Sequence, residues 1–163
     1  MKVAPVTRAV RSALAASAAM LALAGTGPAL AGDCTAPASG TIHCNGDFAD
    51  TLNFSVEDLT LIVGDQAPST IAPPAGNAGI LADWAGHIGV TNSADIVAYA
   101  DGIDAVGSGD IDIDNAGDID VSSAGQVIGI YAYTDDGNVT IANSGDIGAY
   151  SMGGLADGIF ASG

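Results

Sequence analysis

The densest chemistry in the sequence is a run of carboxylates. Asp110, Asp112 and Asp114 alternate with Ile111 and Ile113, and Asp118 and Asp120 follow closely. In an extended strand alternate side chains share one face at a spacing of about 7 Å. Hard oxygen ligands grouped in this way suit Ca²⁺, and weak calcium ligation by Asp110, Asp112 and Asp114 is one expectation. The preceding Gly107-Ser-Gly-Asp110 is close to a glycine–aspartate calcium repeat, but the order of that nonapeptide is not reproduced. The same pattern also suits a solvated acidic face that keeps a ladder of isoleucines soluble, and that is the reading adopted.

Other chemistries find little support. His43 and His87 are the only histidines, and no Gly-x-Ser-x-Gly elbow accompanies them for nucleophilic catalysis. All three basic side chains (Lys2, Arg8 and Arg11) lie at the extreme N-terminus, while all 19 acidic groups lie beyond residue 31. Nucleic acid is therefore excluded as a partner, since nothing beyond residue 31 neutralises a phosphate. Polysaccharide lyase chemistry, which needs a basic side chain next to a uronate, has no agent there either. Nothing singles out two of the 19 acids as a glycosidase pair. Trp84, Tyr99, Tyr131, Tyr133, Tyr150 and Phe160 are the aromatics available to a surface. The sequons at Asn53 and Asn138 are read as chance matches.

The elements that carry these residues repeat. Ile88-Gly-Val-Thr-Asn92-Ser-Ala-Asp95-Ile96 is echoed by Ile111-Asp-Ile-Asp-Asn115-Ala-Gly-Asp118-Ile119 and by Val139-Thr-Ile-Ala-Asn143-Ser-Gly-Asp146-Ile147. The asparagines are 23 residues apart (92 to 115) and then 28 (115 to 143), and Ile96, Ile119 and Ile147 keep the same steps. A second phrase, Gly-Ile-x-Ala, recurs at Gly79, Gly102, Gly129 and Gly158. A period of this size marks stacked repeats. Each segment alternates apolar and polar residues over only a few positions, too briefly for a helix.

The expected fold is all-β, a right-handed parallel β-helix (solenoid) of about four coils over residues 79–163. Inward positions would be the aliphatic ones, stacked coil on coil, with Asp104, Asp112, Asp114, Asp120 and Thr140 facing water. Asn92, Asn115 and Asn143 are expected at a turn, in left-handed geometry and bonded amide to amide. Gly102, Gly117, Gly129, Gly145 and Gly158 are expected at corners that need a positive φ. The variable spacing falls mostly between the isoleucine of one phrase and that of the next, a corner where loops can grow.

Ahead of the repeats lie two further regions. Residues 1–31 have a basic start, an apolar run from Ala13 to Ala24, and Ala29 and Ala31 where a signal peptidase reads small side chains. This predicts a signal-peptide helix cleaved after Ala31, and hence export. The run is shorter than a membrane span, and Asp33 stands where a lipoprotein would need cysteine. Residues 32–78 are expected to form an N-terminal cap and linker, with strands at 52–56 and 58–65 and a loop over 66–78. Cys34 and Cys44, an even count in an exported chain, are expected to pair as a disulfide that ties the cap. The chain stops just after a Gly-Ile-x-Ala phrase, which suggests an array truncated at its C-terminus.

Taken together, the signal peptide, the short Cys34–Cys44 loop, Asp58-Leu-Thr-Leu-Ile-Val-Gly-Asp65, and the Asn-Ser-Gly-Asp-Ile and Gly-Ile-x-Ala repeats resemble the start of a bacterial autotransporter passenger domain. The resemblance implies a β-helical passenger carried over the outer membrane by a C-terminal β-barrel that this sequence lacks. It implies a secreted or surface-displayed structural or adhesive fragment, without catalysis in this segment and without a cofactor. The partner would be an unidentified ligand on a host or neighbouring cell, with membrane contact only through the missing barrel. The competing expectation is the N-terminal part of a β-helical carbohydrate-active enzyme whose active site lies outside this sequence.

Overall fold

The computed structural model describes residues 32–35 and 40–163, apart from the side chains of residues 84 and 85. Residues 1–31, with the signal-cleavage positions Ala29 and Ala31, lie outside it. Among the described residues every regular element is a strand: β1 (Asp33–Cys34), β2 (Thr41–Asn45), β3 (Leu52–Phe54), β4 (Leu59–Val63), β5 (Thr70–Ile71), β6 (Ile80–Ala85), β7 (Ile88–Asn92), β8 (Asp95–Ala98), β9 (Ile103–Gly107), β10 (Ile111–Asn115), β11 (Ile119–Ser123), β12 (Val127–Thr134), β13 (Val139–Asn143), β14 (Ile147–Ser151) and β15 (Ala156–Ser162).

The strands sort into three sheets. Sheet A has the order β1-β2-β4-β7-β10-β13, sheet B β14-β11-β8-β5, and sheet C β15-β12-β9-β6-β3. From β4 onward the chain visits A, B and C in turn, then returns to A one level further along. Apart from the antiparallel pair β1–β2, all pairings are parallel. The result is an all-β, β-helix-like solenoid.

Equivalent residues of the repeats stack on one another. Ile111 pairs with Ile88 and Val139, and Ile119 with Ile96 and Ile147. Ile130 pairs with Ile103 and Ile159. Period-two alternation explains why the ladders point inward. In β10 the isoleucines are buried and Asp112 and Asp114 exposed. Ile88, Ile96, Ile103, Ile111, Ile119 and Ile130 are completely enclosed. Each such side chain contributes about 1.5–3 kcal/mol of burial. On sheet C the isoleucine row runs beside an alanine row, Ala82, Ala105, Ala132 and Ala161, so large and small side chains share the interior.

Strands upstream of the repeat phrases join the same ladders. Leu59, Leu61 and Val63 lie under Ile88, Val90 and Asn92. Ile71, in a stretch read as loop, lies under Ile96, and Leu52 under Ile80.

The glycine expectation is corrected. Among the described residues positive φ occurs at Gly40, Gly46, Gly64, Gly76 and, among non-glycines, Asp58; it does not occur at Gly102, Gly117, Gly129, Gly145 or Gly158. The asparagines of the repeat are likewise not left-handed. The repeat glycines are required for close approach instead. A Cβ on Gly117 would run into the carbonyl of Ala94, and one on Gly145 into that of Gly117. A Cβ on Gly102 would sit 2.5 Å from the Gly129 carbonyl oxygen, and one on Gly129 at the same distance from that of Gly158. Coils stacked at about 4.8 Å leave no room for a methyl where backbone crosses backbone.

Candidate functional site

Among the described residues Ser69, Thr134, Asn92 and Asn115 are the buried polar residues, and the two asparagines belong to a continuous row. Asn92, Asn115 and Asn143 occupy consecutive rungs at the end of the sheet A strands. Asn92 Nδ2 donates to Asn115 Oδ1 at 2.7 Å, and Asn115 Nδ2 donates to Asn143 Oδ1 at 2.7 Å. Each amide also donates to the carbonyl two residues on, at Ala94, Gly117 and Gly145 respectively. Two amide protons thus serve two acceptors, one holding the A-to-B corner and one joining coil to coil. Asn92 and Asn115 are fully buried. A buried polar row of this kind is stable only because its members satisfy one another. It fixes register and offers nothing to a substrate.

At the N-terminal end, Cys34 and Cys44 face each other across β1 and β2 as a disulfide. Beside it His43 Nδ1 lies 3.1 Å from Asp65 Oδ2, and Asn45 Nδ2 donates to Asp65 Oδ1 at 3.1 Å. The Asn45 amide, followed by His43, holds the Asp65 carboxyl below its ordinary range. His43 and Asp65 are on the surface.

The aspartates singled out for calcium are not gathered into a metal site. Asp110 accepts from the backbone N–H of Asn138 at 2.8 Å and from its side chain at 3.2 Å, which lowers its pKa. Asp112 and Asp114 face outward from sheet A over a shallow depression of about 230 Å³, with Thr60, Thr91 and Thr140 around them. On the neighbouring rungs Asp112 meets Gly89 and Thr140, and Asp114 meets Thr91 and Ala142, so neither row supplies another carboxylate. Among the described residues no three His, Cys, Asp or Glu side chains come together as metal ligands.

The outer face of sheet C holds a carboxyl that alternation alone places in water. Asp104 sits in register between Leu81 and Tyr131. Its Oδ1 is shielded from solvent and has no hydrogen-bond partner among the described residues. Burial first, then the charges of Asp101 and Asp83, push its pKa up to about 6. Asp101 is raised by burial too, against the opposing pull of the Ile128 N–H that its Oδ1 accepts at 2.9 Å. Leu81 and Tyr131 are the signal for this in the sequence, but only the register shows that they flank Asp104.

The aromatics divide between two faces. On sheet C, Tyr131 and Phe160 stack with centroids 5.3 Å apart and planes within 8°. Nearby, Tyr133 is raised in pKa chiefly by a hydrogen bond to Asp135. Asp135 also lines a cleft of about 540 Å³ with Ser55, Glu57, Asp83 and Ser108. On sheet B, Tyr99 and Tyr150 line a single depression of about 300 Å³ together with Ser122, Ser123 and Met152. An adjoining depression, of about 370 Å³, shares Ser122 and Tyr150 and reaches Val97 and Asp120.

No family model matches the chain, and no curated protein or solved structure matches it.

Proposed function

We propose that the chain is a structural or adhesive passenger segment of an autotransporter, secreted or displayed at the cell surface. In this reading residues 32–78 are the N-terminal cap, tied by the Cys34–Cys44 disulfide. The array that follows is a right-handed β-helix of about four coils, a rigid acidic rod that presents its side chains to a partner outside the cell. The segment performs no catalysis of its own. The observation that carries the reading is the in-register stacking of short parallel strands in three sheets, which turns a repeated phrase into a rod. The disulfide, which persists in oxidising compartments, supports export.

The test is made on the cells that produce the protein. Intact cells are treated with an added protease and probed with an antibody to residues 79–163, and the exported chain is sequenced from its N-terminus. The reading expects cleavage of the antigen on intact cells, or its presence in the medium, and a mature chain beginning at Gly32. An antigen shielded until lysis, on a chain still beginning at Met1, overturns it.

A further inference from the structure

Rings on the outside of this array face one another along its axis. Tyr131 and Phe160, on successive rungs of sheet C, show it directly, stacked with nearly parallel planes and centroids 5.3 Å apart. Along sheet B two tyrosines, Tyr99 and Tyr150, line one depression with Ser122 between them. Ser122 pairs with Tyr150 on one side. On the other, Tyr99 directly follows Ala98, the partner of Val121, and lines the same depression as Ser122. Two rungs separate the tyrosine rows by about 10 Å. The small serine between them is the floor of the depression that both tyrosines line. Tyr99 is 42% exposed, Tyr150 65% and Met152 72%, so the slot opens to solvent.

We propose that this slot binds an alkylated ammonium group, the trimethylammonium of a small soluble molecule such as choline. A cation midway between the two rows would lie about 5 Å from each, within the roughly 6 Å over which an aromatic face attracts it. The charge around the slot has the matching sign. Asp120 borders the adjoining depression, and the chain beyond residue 31 holds 19 carboxylates and no Lys or Arg. Such a field draws cations towards the surface. Tyr99, Tyr150 and Met152 offer apolar walls, which suit a weakly hydrated organic cation and not a hydrated inorganic one. A phosphorylated choline headgroup is disfavoured, since it would bring its phosphate against the same carboxylates. The site stands independently of surface display.

The experiment titrates the whole 163-residue chain with choline chloride at constant ionic strength, following the tyrosine ring resonances. Its neutral isostere 3,3-dimethylbutan-1-ol is run in parallel. Saturable binding is expected, roughly tenfold or more tighter for choline than for the isostere. Tyr99→Ala and Tyr150→Ala should each weaken it roughly tenfold without changing the unfolding midpoint, while Tyr150→Phe keeps it. The proposal is overturned by the absence of saturation, by equal binding of the isostere, or by retention in both alanine variants. Tyrosine-dependent binding of a methyl glucoside in place of choline, or of phosphatidylcholine vesicles but not free choline, overturns it as well.

Discussion

Asn92 and Asn115 are 23 residues apart in the chain and share a 2.7 Å hydrogen bond inside the array, both fully enclosed. Asn115 is the middle member and bonds in both directions. Replacing it by alanine leaves an amide proton of Asn92 and the Oδ1 of Asn143 without partners. Asn115→Ala should cost about 2–4 kcal/mol, against about 1 kcal/mol for Asn143→Ala, whose side chain reaches solvent. Urea unfolding of the two variants measures the difference.

The glycine rows predict a second contrast. Gly129→Ala drives a methyl towards the Gly158 carbonyl oxygen, whereas the nearest atom to a Cβ on Gly158 is Ile147 Cγ2 at 4.0 Å. Gly129→Ala should lower stability by about 1–3 kcal/mol and Gly158→Ala by little. Thermal midpoints of both, read side by side, check this.

Asp104 predicts a pH dependence. Its folded-state pKa of about 6 lies above the unfolded value near 3.9. Below both values the carboxyl is protonated in either state and contributes nothing. Between about 4 and 6 the unfolded chain releases the proton while the folded one keeps it, so stability falls as pH rises, then levels off. Asp104→Asn should abolish this slope and raise stability at neutral pH by about 1 kcal/mol, allowing for solvent screening. Asp65 and Asp110 have the opposite sign, since their lowered pKa values stabilise the fold above the ordinary carboxylate range and that stability is lost as pH falls. Denaturation of the parent and the Asp104→Asn variant from pH 4 to pH 8 isolates the Asp104 contribution.

The disulfide closes a short loop, with its cysteines 10 residues apart. Cys34→Ser combined with Cys44→Ser should cost about 2–3 kcal/mol, mainly through the freer unfolded chain. Adding a reductant should lower the thermal midpoint of the parent and leave the double variant unchanged.

Asp112 and Asp114 have no carboxylate beside them on the adjacent rungs, and Asp110 is engaged by Asn138. Thermal stability should therefore be the same in EDTA and in millimolar Ca²⁺. A midpoint that rises with Ca²⁺ and stays put in an Asp112→Asn, Asp114→Asn variant would restore the calcium reading.

The ladders were legible because each level reuses the same residue types at fixed offsets. Ile96, Ile119 and Ile147 can be aligned by eye and are aligned in space. The level formed by β4, β5 and β6 partly escapes such reading. Ile80 carries the Gly-Ile-x-Ala wording, but Leu59 and Ile71 fill the positions of the repeat without it, and β5 is two residues long between prolines, too short to show a period. The glycines were visible, but their reason was not. Sequence shows that a side chain is absent, whereas the need for its absence comes from a carbonyl one level away. Asp104 shows the same limit. Alternation places it outward, yet between its cross-strand neighbours Leu81 and Tyr131 its Oδ1 is shut away from water. The tyrosine slot on sheet B lies further still from any motif, since Tyr99 and Tyr150 are 51 residues apart (99 to 150) and meet only through the register.

The corner between sheets B and C connects Ala98 to Ile103 at one level and Ser123 to Val127, with a longer following strand, at the next. Ile96 and Ile119 stay paired across that difference, as do Ile103 and Ile130. That corner is thus a natural splice point. A foreign peptide grafted between Ala124 and Gln126 would be held out on a stiff post, and the scaffold could carry antigenic or affinity tags without its own architecture being redesigned.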